Sequence, residues 1–141
     1  MKTQHSIYFG NSNNMKEVGS QSVNLIVTSP PYPMIEMWDE QFSSSNSEIK
    51  EALQNGDGSK AYDLMHEELS KIWAEVNRVL VYGGIACINI GDATRKVNGA
   101  FQLYANHSKI TGYFEKIGFQ VLPLILLRKE TNKPNKYMGS G

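Results

Sequence analysis

Residues Val23–Thr28 read VNLIVT, an apolar run of strand length that Ser29, Pro30 and Pro31 stop abruptly before Tyr32. A short, continuously apolar run bounded by turn residues suits a buried strand of a parallel sheet, covered on both faces. Two prolines directly after it fix the backbone and remove N–H donors, so the chain must leave the sheet there. The next run of the same kind is Ile85–Ile90 (IACINI), closed by Gly91 and Asp92. Between the two, Tyr62–Leu80 sets Met65, Leu69, Ile72, Trp73, Val76 and Leu80 on one helical face, and Gly83-Gly84 reads as the helix stop. Strand, helix and strand in this order predict a right-handed crossover in a mostly parallel sheet.

Towards the N-terminus, Ser6–Phe9 reads as a short strand and Gly10-Asn11-Ser12 as a turn. A short helix near Asn14–Val18 follows, with Asn14 as N-cap and Glu17 as its capping-box partner. The stretch 39–60, rich in Ser, Asn, Gly and Asp, reads as a loop-rich insertion with a helical patch only around Ile49–Leu53. Downstream, the spacing predicts a helix over Gln102–Ile117, stopped by Gly118, and a strand over Phe119–Leu127. Pro123 places that strand at an edge or a bulge. Arg128–Gly141 is a polar tail without periodicity. The expected fold class is α/β, a mostly parallel, doubly wound sheet with helices on both faces. In such sheets ligands bind beyond the carboxyl ends of the strands. Ser29–Tyr32 and Gly91-Asp92 both lie there.

The 141 residues carry 14 basic and 14 acidic side chains, for a formal net charge of zero, and 40% are hydrophobic. That suits one domain or a portion of one and excludes a disordered chain. No apolar run approaches the roughly 20 residues needed to span a bilayer, and Met1–Ser6 lacks the apolar centre of a signal peptide. A cytoplasmic location, with no membrane partner, is therefore expected. The single cysteine, Cys87, excludes a disulfide framework and a multi-cysteine zinc site. His5, His66 and His107 share no metal-ligand spacing, so no metal is expected. With zero net charge, any nucleic-acid binding rests on local residues, and Arg128, Lys129, Lys133 and Lys136 form the one basic concentration.

The chemistry concentrates in Ser29-Pro30-Pro31-Tyr32. A hydroxyl, a carbonyl oriented by rigid prolines and an aromatic face suit a planar heterocycle with an exocyclic amine. The amine hydrogens go to Ser29 and the proline-segment carbonyl, and the ring stacks on Tyr32.

This segment resembles the catalytic motif of the amino-methylating DNA methyltransferases, which read Ser or Asp, Pro, Pro, aromatic. The serine form is similar mostly to the N4-cytosine enzymes and the aspartate form to the N6-adenine enzymes. The likeness extends through Gly10–Ser12, Pro33–Asp39, Gly83–Asp92 and Leu124–Pro134. With the motif near the N-terminus, the order resembles the circularly permuted group. The resemblance implies a partial Rossmann-like methyltransferase fold and S-adenosylmethionine as methyl donor. It further implies double-stranded DNA as substrate and a cognate restriction endonuclease as partner. No glycine-rich cofactor loop stands in structural context, so that loop and the target-recognition region are expected beyond Gly141. Residues 1–141 then form the catalytic portion of a longer enzyme, inactive alone and prone to self-association.

Carried over residue by residue, the resemblance makes Ser29, Pro30, Pro31 and Tyr32 catalytic, with the product N4-methylcytosine. Ser29 and the Pro30 carbonyl hold the amine so that its lone pair localises towards the incoming methyl group. The base must be flipped from the duplex, and stacking on Tyr32 returns roughly 1–3 kcal/mol of the cost. Tyr32, Trp38 and Asp39 are candidate base-pocket residues, although Trp38 equally suits a cover for the core and Asp39 a solvated acid. Asn11 stands where related enzymes commonly carry an acid beside the cofactor, so Asn11 and Asp92 are the candidate cofactor contacts. Asp92 also suits an ordinary Gly-Asp turn. Two rival functions stand beside this one: an N6-adenine methyltransferase, and a catalytically silent nucleic-acid-binding module of the same fold.

Overall fold

Strand β1 (Val23–Thr28) lies parallel to strand β2 (Leu80–Ile88), with Ile26 beside Ala86 and Thr28 beside Ile88. The computed structural model describes residues 2–128. The crossover between the two strands runs through a single 3-10 turn (Glu36–Trp38) and helices α1 (Asp39–Ser45), α2 (Ser47–Gln54) and α3 (Gly58–Val79). An antiparallel hairpin of β3 (Ala93–Val97) and β4 (Ala100–Tyr104) follows, and then helix α4 (Asn106–Lys116).

The core forms where the apolar stripe of α3 meets its neighbours. Met65, Leu69, Trp73 and Val76 of α3 are buried with Phe42 of α1, Ile49 of α2, and Ile110 and Phe114 of α4. Trp73 and Phe114 pack at tilted angles, 5.6 Å between ring centres. The sheet offers one face to this core through Val23, Ile26, Ala86 and Ile88. Its other face, with Leu25, Val27, Ile85 and Cys87, is exposed. The α/β architecture expected from the sequence is present, but among the described residues the helices cover only one face of the strand pair.

Several local expectations give way to tertiary contacts. Residues 39–60 are mostly helical rather than loop. Asn46 caps α2 by accepting from the Glu48 N–H at 3.0 Å, and Asp57 caps α3 by accepting from the Lys60 N–H at 2.9 Å. Ser44 and Ser45 donate back to the carbonyls of Glu40 and Gln41, which satisfies their hydroxyls within the helix. Burial of Phe42, Ile49 and Ala52 then outweighs the weak helix propensity of the serines.

Gly83-Gly84 lies inside β2 rather than at a helix stop. Gly83 takes a φ of 77°, and the register slips there, from Val23 beside Leu80 to Leu25 beside Ile85. Extra residues on one strand at a glycine of positive φ make a bulge.

The expected strand Ser6–Phe9 does not form, and Asn14–Val18 makes turns rather than a helix. Here the backbone groups are taken by side chains of α3. Glu75 accepts from the Met15 N–H at 2.7 Å, and Arg78 donates to the carbonyls of Met15 and Val18 at 2.9 Å.

Gln102–Tyr104 belongs to β4, not to the last helix. Asn98 and Gly99 have φ of 48° and 80°, the left-handed pair of a two-residue hairpin turn, and this pulls the chain back along β3. Helix α4 therefore begins at Asn106, and Gly118 follows it with a φ of 98°. Phe119–Leu127 has no strand partner among the described residues, and Leu124–Leu127 is exposed. Most of the polar tail, residues 129–141, lies outside the described residues. No described helix is long and apolar enough to cross a membrane.

Candidate active site

Parallel pairing carries the ends of β1 and β2 to the same edge. The Asn89 N–H donates to the Thr28 carbonyl at 2.8 Å, so the segments leaving the two strands start side by side. From β1 comes Ser29, exposed, then Pro30, buried, then Pro31 and Tyr32, half-buried. The Ile35 N–H closes a turn on the Tyr32 carbonyl at 3.2 Å, which folds the motif back on itself. The fold brings the Ser29 hydroxyl and the Tyr32 hydroxyl to 3.4 Å. The serine, the prolines and the aromatic ring thus form one local cluster at the carboxyl end of the strand.

The loop is anchored from behind. Pro33 and Met34 are buried, and Met34 is 1% exposed with a φ of 67°. A left-handed backbone costs a non-glycine residue roughly 1–2 kcal/mol. Burial of the long thioether side chain and donation of the Met34 N–H to Met65 Sδ at 3.3 Å offset that cost.

From β2 comes Gly91, against the ring of Tyr32. A Cβ at this position would stand 3.2 Å from the Tyr32 Cε2, so glycine is what allows the ring to lie so close. Asp92 does not stand free in the cleft. Its carboxylate accepts from the His107 N–H at 3.1 Å and from His107 Nδ1 at 2.8 Å, in the first turn of α4. An acid there complements the helix dipole.

Trp38 packs partly buried against the core, and Asp39 is held by Arg95 of β3 through two hydrogen bonds of 2.8 and 2.7 Å. This pairing raises the Arg95 pKa further, chiefly through the hydrogen bonds to Asp39. Asn11 is exposed, and its side-chain oxygen accepts from the Asn13 N–H at 3.0 Å within its own turn. The structure keeps Ser29, Pro30, Pro31 and Tyr32 together at the strand end, while Trp38, Asp39, Asn11 and Asp92 each make a contact of their own.

Behind the cluster lies a buried polar group. Asn106 is fully buried and donates from Nδ2 to the carbonyls of Pro33 and Gly91, at 3.0 Å each. Because two carbonyls can only accept, the amide nitrogen must face them, and Oδ1 is left to accept from His66 Nε2 at 3.0 Å. Burial pushes the His66 pKa down to about 4, so at neutral pH it is an uncharged donor. Tyr62, its edge against the His66 ring, donates to the Ala105 carbonyl at 2.9 Å. Burial first, then the charges of Asp92 and Asp63, lift its pKa to about 12.

Sequence reasoning placed Gly91 at the ligand end of the sheet without its contact to Tyr32, and it missed Arg95, Asn106 and His66. Asn106 is the first residue of α4, after the Ala105 N-cap, and extending the helix back to Gln102 concealed that position.

The family model for DNA methylases of the N6/N4 type matches residues 23–139, from the first residue of β1 onward. The chain belongs to the N6/N4 DNA methylase family. It is 56% identical, over its whole length, to the type II methyltransferase M.MthZI of Methanothermobacter thermautotrophicus, of which it covers 40%. It is 55% identical to M.MjaI of Methanocaldococcus jannaschii, with 99% of this chain and 50% of that protein aligned. Among solved structures, TTHA0409 from Thermus thermophilus, assigned as a DNA modification methylase, superposes with a TM-score of 0.58 at 27% identity. That match covers 80% of this chain and 40% of the other. The chain thus spans half or less of the length of these relatives.

Proposed function

We propose that this methylase chain supplies the base-binding and catalytic end of a DNA methyltransferase that methylates the exocyclic N4 amine of a flipped-out cytosine. The observation that carries the reading is the Ser29–Tyr32 cluster: two hydroxyls 3.4 Å apart beside a rigid proline pair at the strand's carboxyl end. An aromatic amine is a weak nucleophile because its lone pair is delocalised into the ring. Ser29 and the Pro30 carbonyl accept the two amine hydrogens, which localises the lone pair on nitrogen. The Tyr32 face holds the base in plane by stacking. In this reading the methyl group would pass from the donor's sulfonium sulfur straight to N4, the donor leaving as a neutral thioether and N4 then losing one proton to water, so no covalent enzyme intermediate is needed and Cys87 has no nucleophilic role.

S-adenosylmethionine is the methyl donor that family membership implies. The two candidate contacts do not make a cradle for it, because Asp92 is spent on His107 and the start of α4, and Asn11 on its own turn. No step is therefore assigned to them. Double-stranded DNA is the substrate in this reading. The type II relatives support a restriction endonuclease as companion, and the bare sheet face supports self-association.

Mass spectrometry of nucleosides from DNA methylated by the whole protein tests the proposal. N4-methylcytosine is the expected product. N6-methyladenine would instead select the adenine reading, and DNA binding without transfer would select the silent binding module.

A further inference from the structure

Asn106 sits where three separate parts of the chain converge. Its amide nitrogen holds Pro33, the residue after Tyr32, and Gly91, the residue against which the Tyr32 ring packs. Its oxygen is held by His66, from the middle of α3. These partners are 73, 15 and 40 residues away in the sequence. We propose that Asn106 is a positioning residue for methyl transfer, holding the motif loop against the β2-exit loop and so setting Tyr32 and Ser29, with His66 fixing the direction of its amide. The inference rests on the functional reading above.

The side-chain chemistry is restrictive. Two carbonyls facing one group need two N–H donors from a single short side chain, and asparagine supplies them. Aspartate would turn a carboxylate towards two carbonyl oxygens, serine has one donor, and leucine has none. The amide must also be kept from turning over, since its flipped form would face oxygen to oxygen. A neutral His66 donating from Nε2 does this. His66 is 7% exposed, and burial disfavours the protonated form, which keeps the ring in its neutral state. An apolar plug could fill the same space, but only a fully satisfied polar network fixes direction as well as distance. Direction matters here, because Ser29 and Tyr32 must meet an amine and a ring plane at once.

The test compares Asn106→Leu, His66→Leu and His66→Gln with the parent, using two readouts. The first is the single-turnover rate of methyl transfer by the whole protein at saturating DNA and cofactor. Displacing a reactive group by about 1 Å costs on the order of 100-fold, so both Leu variants should slow by roughly that factor while cofactor and DNA affinities hold. His66→Gln, which can still donate, should recover most of the rate. The second is the NMR signal of the Tyr32 ring in protein labelled with carbon-13 tyrosine, assigned through Tyr32→Phe. It should move in both Leu variants, while the signal of surface Tyr82 stays. If folded Leu variants keep the parent's rate and Tyr32 signal, the proposal is overturned. If Asn106→Leu does not fold, the His66 pair decides it. If the parent transfers no methyl group, the functional reading fails, and the Tyr32 signal alone decides whether Asn106 sets the ring.

Discussion

The Arg95 guanidinium closes on the Asp39 carboxylate through two parallel hydrogen bonds, joining residues 56 positions apart and tying β3 to the first turn of α1. Both side chains are well covered, Arg95 14% and Asp39 26% exposed. The carboxylate that the sequence offered for a base edge thus carries an ion pair within the fold.

Asp39→Ala should consequently lower stability more than turnover. Hydrogen bonds to charged groups contribute about 1.5–3 kcal/mol, and removing one partner leaves the well-covered Arg95 charge unpaired. Denaturant titration of Asp39→Ala, Arg95→Ala and the double variant should give a clearly non-additive cycle. Additive losses, or a turnover loss without a stability loss, would return Asp39 to the base pocket.

Ser29→Ala should reduce methyl transfer on the order of 100-fold, by analogy with the loss of one oriented oxyanion-hole donor. Its contribution arises as the amine lone pair localises, so DNA affinity should hold. A rate equal to the parent's, or a loss traced wholly to weaker DNA binding, removes Ser29 from the chemistry.

For Tyr32 the ring should matter more than the hydroxyl. Phenylalanine keeps the stacking face, whereas alanine removes it. A base analogue that brightens when unstacked should therefore report flipping in Tyr32→Phe and little in Tyr32→Ala. Equal loss in both variants would shift the role to the hydroxyl and its 3.4 Å contact with Ser29.

Gly91→Ala should lower activity with little change in melting temperature. The new methyl group stands 3.2 Å from Tyr32 Cε2, tight enough to push a half-exposed ring aside by a few tenths of an ångström. A melting temperature that falls along with activity would place the effect in the fold instead.

Stability should fall in two steps as the pH drops. His66 titrates near 6.5 when unfolded and about 4 when folded, so the unfolded state binds the proton first. The loss begins below about pH 6.5 and is complete near pH 4, on the order of 3 kcal/mol by linkage. Glu75 is held down to about 2 by the hydrogen bonds of Arg78 and then by the Met15 N–H. Its contribution is present above the ordinary carboxylate range and is lost from there towards pH 2. Urea titrations across this range should show the first step vanish in His66→Gln and the second in Glu75→Gln.

Residues 1–141 should bind S-adenosylmethionine weakly and self-associate. The candidate cofactor contacts are engaged locally, and Leu25, Val27 and Ile85 leave an apolar sheet face open, with Val27 73% exposed. Isothermal titration and sedimentation check the two halves. Micromolar binding by a monodisperse monomer would contradict both.

The sequence alone determined what depends on near neighbours. An apolar run cut by two prolines marked β1 and the motif, and a three-to-four-residue stripe from Met65 to Val76 marked the core face of α3. These signals lie within a few residues of what they govern, because backbone sterics and side-chain period act locally. The Asn98-Gly99 turn was equally local, and a longer helical reading over Gln102–Ile117 obscured it. Beyond the helical patch at Ile49–Leu53, only the tertiary structure decided that serine-rich residues 39–60 fold into helices, since Phe42 and Ile49 need α3 to bury them. It alone decided that Asp39 meets Arg95, that Gly91 meets Tyr32, and that Asn106 meets Pro33 and His66. Each of these contacts joins side chains from separate elements, and no local propensity carries the position of a partner that the chain reaches only after it has crossed the sheet.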